Sequence, residues 1–427
     1  MDTNLTELLT IQASLRSATV AWAHGVEPGP EIEGDRRKAL CLLHERYLRL
    51  IPSYREVAGD LASARSVALE YIVENLLLRD VFKSYDPALL AASDFAAMTT
   101  WLGSVFCRVP LPDLAGVSSI GVWRERLRAD GVFLSFSSGT SGRMAFVPRD
   151  HHTFRALCSN GAAYADETWR LRPDGLLDFD CLIAGPRSGG MGLLDAAGGL
   201  ARSAARSHFL FSQVLTADDV AGSGGGKGMQ RFEAAALREA IEFVRRSAAD
   251  SRKLLVFGAP FQIRWFCEQV ASSGGVPAAT PGSTLVTGGG WKSFQGDALS
   301  RKELTRLVLA TLGIESAHCI DVYSTSELNC HFRTCRQGHY HIPPLIEPVV
   351  LDEALSGTPG ESGSGMLAFL DPFALSYAGF VITGDVGTLR HGRCECGLPG
   401  PVLEGEVLRA PGMEIRGCGG VLESIRV

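Results

Sequence analysis

No stretch of this 427-residue sequence stays apolar for the roughly 20 residues that a bilayer-spanning helix needs. No run of Lys and Arg is long enough to resemble a nucleic-acid footprint, and the formal charge is −6, so nucleic acid and anionic membranes are excluded as favoured partners. The opening MDTNLTELLT carries acids where an export signal carries Lys or Arg, and a cytoplasmic location is the expectation. There is no internal repeat. The glycine-rich GSGGGKG at 222–228 comes nearest to low complexity. It also fails as a P-loop, with Ala221 in place of the first Gly and Gly228 in place of the Mg²⁺-binding Ser or Thr, which excludes a Walker-type kinase or ATPase. A disulfide scaffold is excluded as well, because eleven Cys is an odd number in a long chain without an export signal.

What is present is 46% hydrophobic residues and 48 Gly, ample for a large core with many loops. Residues 1 to about 110 read as helical: LTELLTIQASLRSATVAWA and RRKALCLLHERYLRL repeat apolar residues every three or four positions. From about 130 onward, short apolar runs (GVFLSF, LLVFG, TLVTGG, GMLAFL, GFVITGD) alternate with helical stretches such as FEAAALREAIEFVRRSA and RKELTRLVLATL. That alternation predicts an α/β fold with sheets covered by helices and ligands gathered in the loops that leave the strands. Cys41, Cys107, Cys158, Cys181 and Cys267 sit among apolar neighbours and read as small core residues. The other six Cys crowd the stretch from Cys319 to Cys418.

FSSGTSGRM at 136–144 follows a predicted strand. Ser137, Ser138, Thr140 and Ser141 alternate with Gly139 and Gly142, which suits close approach of backbone N–H groups and hydroxyls to a phosphate; the plain alternative is a solvated turn. Three segments in order then resemble the adenylate-forming superfamily of acyl-CoA ligases, peptide-synthetase adenylation domains and luciferases. Ser138-Gly139-Thr140-Ser141-Gly142 resembles its phosphate loop, Tyr323-Ser324-Thr325-Ser326-Glu327 its Tyr-Gly-x-Thr-Glu segment, and Thr383-Gly384-Asp385 its Thr-Gly-Asp. Within it, Gly288-Gly289-Gly290-Trp291-Lys292 with FGAPF at 257–261 is similar to the acyl-protein synthetases, the luciferin-component ligases and their relatives, over roughly residues 80–427.

The resemblance implies ATP-dependent activation of a carboxylic acid as an acyl-AMP with release of pyrophosphate. It implies Glu327 as a Mg²⁺ ligand, Ser326 near the α-phosphate, Asp385 on the ribose hydroxyls, Gly288–Gly290 and Tyr323-Ser324 lining the nucleotide pocket, and Arg409 touching ribose or phosphate. Each also has a plain reading: a solvated carboxylate for Glu327, a turn former for Asp385, a tight turn for the glycines. The sequence departs from the pattern at Ser324 (usually Gly), Ser326 (usually Thr) and Leu408 (usually Gly before Arg409), and it lacks the Lys that closes the phosphate loop.

Only 386–427 follow Asp385, so the expectation is an adenylation-type core without a C-terminal lid domain. The ending Glu414-Ile415-Arg416-Gly417-Cys418 is similar to the acyl-accepting Cys of acyl-protein synthetases, which implies acyl transfer to Cys418 and onward to an acyl reductase or carrier partner; a plain tail thiol is the alternative. Two other readings stand beside this one: an acyl-CoA ligase releasing free thioester, and a degenerate adenylate-binding scaffold. Cys330, Cys335, His339, His341, Cys394 and Cys396 offer donors in two groups that suit tetrahedral zinc. Similarity to phenylacetate-CoA-type ligases implies Cys335, His341, Cys394 and Cys396 as a structural zinc set, with Cys330 and His339 as substitutes. The expected organisation is therefore a helical region over 1–110 and a core over 111–427, with the zinc knot at 330–396 and a short tail. Cys181, Phe209, Phe211, Phe261 and Trp291 predict an apolar acid pocket that leaves fatty and aromatic acids both open.

Overall fold

The computed structural model describes residues 3–59, 67–137, 143–161, 177–185, 187, 192–211, 234–290 and 298–410. In chain order the strands are β1 (Leu78–Arg79), β2 (Phe133–Ser137), β3 (Ala145–Arg149), β4 (Leu177–Ile183), β5 (Ala204–Phe209), β6 (Leu254–Gly258) and β7 (Thr284–Gly288). They continue with β8 (Cys319–Tyr323), β9 (Phe332–Thr334), β10 (Tyr340–His341), β11 (Glu347–Leu351), β12 (Gly363–Leu370), β13 (Phe380–Arg390) and β14 (Val402–Arg409). The described residues fall into two compact units, one drawn from 1–135, 145–165 and 324–413, the other from 136–144 and 166–323. No described helix is long and apolar enough to cross a membrane.

In the second unit β5, β4, β6, β7 and β8 lie side by side in that order, all parallel. Residues alternate between faces along each strand. Leu182, Leu254, Val256 and Leu285 pack on one side against Ile263, Phe266 and Val270 of helix Pro260–Ser272 and Val308 and Leu312 of helix Arg301–Leu312. Phe179, Cys181, Ile183, Leu255, Phe257 and Val286 form the opposite cluster, with Phe209 packed against it. Strands covered on both faces need apolar residues at consecutive positions, which is why LLVFG and TLVTGG read so clearly as strands. Asp180 is the polar exception. Fully buried, it accepts hydrogen bonds from Arg206, Arg252 (2.8 Å) and Ser247 (2.7 Å), and these outweigh the effect of burial and hold its carboxyl below the usual range.

In the first unit β11, β12, β13, β14, β10 and β9 form an antiparallel sheet in that order, with β1 parallel to β13. β2 and β3 pair as a separate two-stranded sheet; all of β3 and the first three residues of β2 belong to this unit. The helical stretch at the N-terminus lies in the same unit. Leu8, Ile11, Leu15, Thr19 and Trp22 recur at helical spacing on the buried face of helix Thr3–Ala23, as do Leu40, Leu43 and Tyr47 on helix Pro30–Leu50.

These helices serve the turn at 371–379, which lies beyond the last β12–β13 pair, Leu370 with Phe380. Gln12 Nε2 donates to the Pro372 carbonyl (2.8 Å), Arg46 Nε to that of Leu375 (2.9 Å), and Tyr47 Oη to that of Ala374 (2.6 Å) while accepting from Gly379 N–H (3.2 Å). Tyr47, Tyr54 and Phe380 interlock edge to face with ring centroids 5.1–6.0 Å apart.

The expectation for the scattered Cys needs one correction. Cys181 and Cys267 are buried, Cys41 and Cys107 are half-buried, but Cys158 is exposed. Helix His151–Asn160 turns Thr153, Ala156 and Asn160 inward, and position 158 falls on the opposite face.

Candidate functional site

The segment 324–330 belongs to no sheet ladder, yet five consecutive carbonyls in it are satisfied by side chains. Arg149 Nη2 donates to the carbonyls of Ser326 (2.6 Å) and Leu328 (3.2 Å), and Tyr377 Oη donates to the Glu327 carbonyl between them (2.6 Å). Asn160 Nδ2 donates to the Asn329 carbonyl (2.9 Å) and Ser324 Oγ to that of Cys330 (3.1 Å). The main chain is thereby fixed while the side chains of Ser326 and Glu327 stay partly accessible, with Ser326 Oγ donating to Glu327 Oε2 (3.1 Å). A partly exposed carboxylate on a fixed turn is a hard oxygen donor of the kind Mg²⁺ takes, usually alongside substrate phosphates.

Arg149 itself is fully buried. Its remaining donors go to Asn329 Oδ1 (2.8 Å) and Ser135 Oγ (3.0 Å), and its guanidinium carbon lies 5.3 Å from the centroid of the Tyr377 ring. Asn329 in turn donates from Nδ2 to Tyr377 Oη (2.9 Å) and to Asp371 Oδ2 (3.0 Å), and its backbone N–H also donates to Asp371 Oδ2 (2.7 Å). Sequence reading missed Arg149, Asn160, Asn329, Asp371 and Tyr377. One signal was available: a charge closing the otherwise apolar strand AFVPR, which a buried strand tolerates only with partners waiting.

Asp371 carries a measurable consequence. Burial pushes its carboxyl up from 3.8 to about 6, opposed by the N–H groups of Phe373 and Asn329 and by Arg149. A raised carboxyl means that the folded chain keeps a proton the unfolded chain has released. Stability from this group is therefore greatest at low pH and declines as pH rises through the window from 3.8 to about 6. The decline is on the order of 3 kcal/mol. The unfolding free energy of the wild type minus that of Asp371→Asn should fall across this window in denaturant titrations; a pH-independent difference would mean that Asp371 titrates alike in the folded and the unfolded chain.

On β13, Asp385 is buried opposite Arg409 of β14 in the antiparallel register, with Asp385 Oδ1 3.1 Å from Arg409 Nη1. The backbone N–H of Asp385 donates to Thr383 Oγ1 (3.1 Å), which donates to the Leu367 carbonyl (2.9 Å), so the Thr-Gly-Asp residues brace one another. Strand pairing thus joins Arg409 to Asp385 although Leu408 breaks the expected pattern.

In the second unit, Tyr323 ends β8, Gly288 ends β7 opposite Val322, and Gly289 and Gly290 follow. Ser137 ends β2. Ser138, Gly139, Thr140, Ser141, Gly142, Trp291, Lys292 and Cys418 lie outside the described residues.

Cys335, His341, Cys394 and Cys396 converge in the first unit, with their donor atoms all within 4.8 Å of one another. Cys335 Sγ lies 3.9 Å from Cys394 Sγ, and Cys396 Sγ lies 3.3 Å from His341 Nε2. Bonds of about 2.3 Å to sulfur and about 2.0 Å to nitrogen in a tetrahedron give edges of about 3.8 and about 3.5 Å, so the donors fit zinc. Two turns of the same form present the sulfurs: Gly338 N–H donates to the Cys335 carbonyl and Gly397 N–H to that of Cys394, both at 2.9 Å, and both glycines have positive φ (88° and 99°). Burial raises the Cys335 thiol, but hydrogen bonds from His341 and from the N–H groups of His339 and Gln337 outweigh it and bring it down to about 6. Burial and the neighbouring Cys396 and Cys335 sulfurs push Cys394 up to about 12, against a bond from the Cys396 N–H. His339, Cys394 and Glu395 form a second, overlapping group.

Residues 234–425 match the family of the acyl-protein synthetase LuxE, a span that contains 323–327, 383–385, the four Cys and His donors and Cys418 but not Arg149 or the loop at 138–142. Over that span the chain is similar to LuxE. Two similar proteins are the long-chain-fatty-acid–luciferin-component ligases of Vibrio harveyi (28% identical over 176 residues, 41% of this chain and 46% of that protein) and Aliivibrio fischeri (25% over 165 residues, 38% and 44%). The chain matches less than half the length of each. Among solved structures it resembles 2-hydroxyisobutyryl-CoA ligase in an open conformation with 2-HIB-AMP and CoA, at a TM-score of 0.57 and 14% identity, over 90% of this chain and 76% of that one. The postadenylation state of that ligase with 2-HIB-AMP gives 0.54 and 15%, over 88% and 67%. The α/β fold is similar to that of this ligase.

Proposed function

We propose that this chain activates a carboxylic acid with ATP as an acyl-AMP and passes the acyl group to a thiol. In the first step a carboxylate oxygen attacks the α-phosphorus, the bond from that phosphorus to the bridging oxygen breaks, and pyrophosphate leaves with the electron pair. In the second a thiolate attacks the acyl carbon, the bond to the adenylate oxygen breaks, and AMP leaves. Such chemistry is mostly a matter of positioning and of stabilising phosphate charge. The carrying observation is the turn at 326–330, locked through its carbonyls while Glu327 and Ser326 remain accessible. Glu327 would hold Mg²⁺, which supplies charge neutralisation when bound. Ser326 would donate toward the α-phosphate, with Ser137 to Gly142 cradling the other phosphates. Asp385 would accept from the ribose hydroxyls, its orientation held by Arg409, and Gly288–Gly290 with Tyr323 and Ser324 would line the nucleotide pocket. The Cys335, His341, Cys394 and Cys396 set would hold a structural zinc.

The acid is fatty or aromatic, and the acceptor is Cys418 or a partner protein such as an acyl reductase or carrier, in the cytoplasm. ATP–pyrophosphate exchange over a panel of fatty, benzoic and heteroaromatic acids tests the first step. Exchange with one class is the expected result, and exchange with none would sink the reading. For the acceptor, Cys418→Ala should lower hydroxylamine-labile acyl label on the protein per pyrophosphate released by at least about tenfold, since the thiolate is the attacking group. An unchanged ratio would move the acceptor elsewhere.

A further inference from the structure

We infer that Arg149 and Tyr377 are positioning residues for the Glu327 carboxylate, acting through the main chain on both sides of it. The inference rests on the acid-activation reading and goes beyond it, since neither residue belongs to any of the three motifs and Arg149 lies outside the span of the family match.

A carboxylate that takes a metal must hold its place within a fraction of an ångström, and a side chain on an irregular loop has no ladder to keep it there. Here Arg149 Nη2 takes the carbonyls at 326 and 328, and Tyr377 Oη takes the one at 327, so three successive peptide groups around Glu327 are pinned by two side chains that never touch its carboxylate. The pins are themselves rigid. Tyr377 and Arg149 are both fully buried, Arg149 Nη2 also donates to Tyr377 Oη (3.3 Å), and Asn329 ties each of them to the Asp371 carboxylate.

A merely packed core would place apolar side chains here. Burying a guanidinium is unfavourable unless its donors are all met, and the donors that reach backbone oxygen meet it on either side of one residue. The two pins are also tied together through their chain neighbours, because Ser376 Oγ accepts from Asp150 N–H (3.1 Å) and donates to Thr153 Oγ1 (2.9 Å).

The test measures Mn²⁺, as a spectroscopic substitute for Mg²⁺, binding to the full chain with a non-hydrolysable ATP analogue, read by electron paramagnetic resonance. Glu327→Gln serves as the benchmark for loss of the ligand. Tyr377→Phe keeps the ring and removes only the hydroxyl that reaches the Glu327 carbonyl, and should raise the Mn²⁺ dissociation constant at least threefold. Arg149→Lys keeps the charge but loses the Nε and Nη1 bonds to Asn329 and Ser135 that aim the guanidinium, and should raise it at least tenfold. In exchange assays the half-saturating Mg²⁺ should rise in step, with the KM for the acid changed less than twofold. Folded variants that bind Mn²⁺ like the wild type overturn the inference. Should Arg149→Lys fail to fold, Tyr377→Phe decides alone. If Glu327→Gln binds Mn²⁺ as the wild type does, it is the parent assignment of Glu327 that fails, an outcome distinct from normal binding by the two positioning variants.

Discussion

Glu327→Gln is expected to lower ATP–pyrophosphate exchange by about a hundredfold or more, the scale found when a group that stabilises developing charge is removed. The substitution is nearly isosteric. Ser326 Oγ can still donate to the amide oxygen, and the three bonds from Arg149 and Tyr377 reach main-chain carbonyls that the substitution leaves in place. Folding should therefore survive, with a denaturation midpoint close to that of the wild type. What is lost is one negative charge where a divalent cation would sit. A Gln carbonyl is a weaker ligand than a carboxylate for a hard cation, and the loss should be eased, not abolished, by raising Mg²⁺. Exchange that is as fast in Glu327→Gln as in the wild type at all Mg²⁺ concentrations would remove Glu327 from the reaction.

The second large effect concerns the sulfur-rich set. The purified chain is expected to carry about one zinc, and its removal by chelation, or Cys394→Ser, should cost several kcal/mol of stability, because metal binding free energy appears as folding free energy. Crowded thiols at 3.9 Å and a thiol–imidazole pair at 3.3 Å are held close by the two turns, and a cation is what lets all three sulfurs ionise together. The set also reaches the N-terminal helix. Trp22 Nε1 donates to the Pro399 carbonyl (2.6 Å), and its ring centroid lies 6.3 Å from that of His341. Metal loss should therefore shift Trp emission as it lowers the melting temperature. Elemental analysis showing no bound metal, together with an unchanged melting temperature in Cys394→Ser, would leave these residues as plain buried thiols.

How well each feature could be read in advance follows the range of the interaction behind it. The helices over 3–23 and 30–50 and the strands of LLVFG and TLVTGG follow from local periodicity, which each segment carries by itself. Residue chemistry offered six donors for the sulfur-rich set, the resemblance to phenylacetate-CoA-type ligases pointed to Cys335, His341, Cys394 and Cys396, and the strand pairing of β10 with β14 is what brings the two halves together. Cys158 shows the opposite case, since apolar neighbours in sequence say little about which face of a helix turns inward.

The residues behind Glu327 could not be read in this way. Arg149 and Ser326 are 177 positions apart, and Tyr377 is 50 from the residue whose carbonyl it holds; no local pattern records such bonds, because a side chain that satisfies a distant carbonyl needs only to be polar and to arrive there. By itself the sequence determined the alternation of helices and strands, the order of the three loop motifs and the chemistry of the sulfur-rich set. Only the tertiary structure decided that Asp385 meets Arg409, which the antiparallel register sets opposite it, that the N-terminal helices satisfy the turn at 371–379, and that Arg149 grips both sides of Glu327, the last two because sheet and helix leave backbone groups unpaired that a folded chain must satisfy from afar.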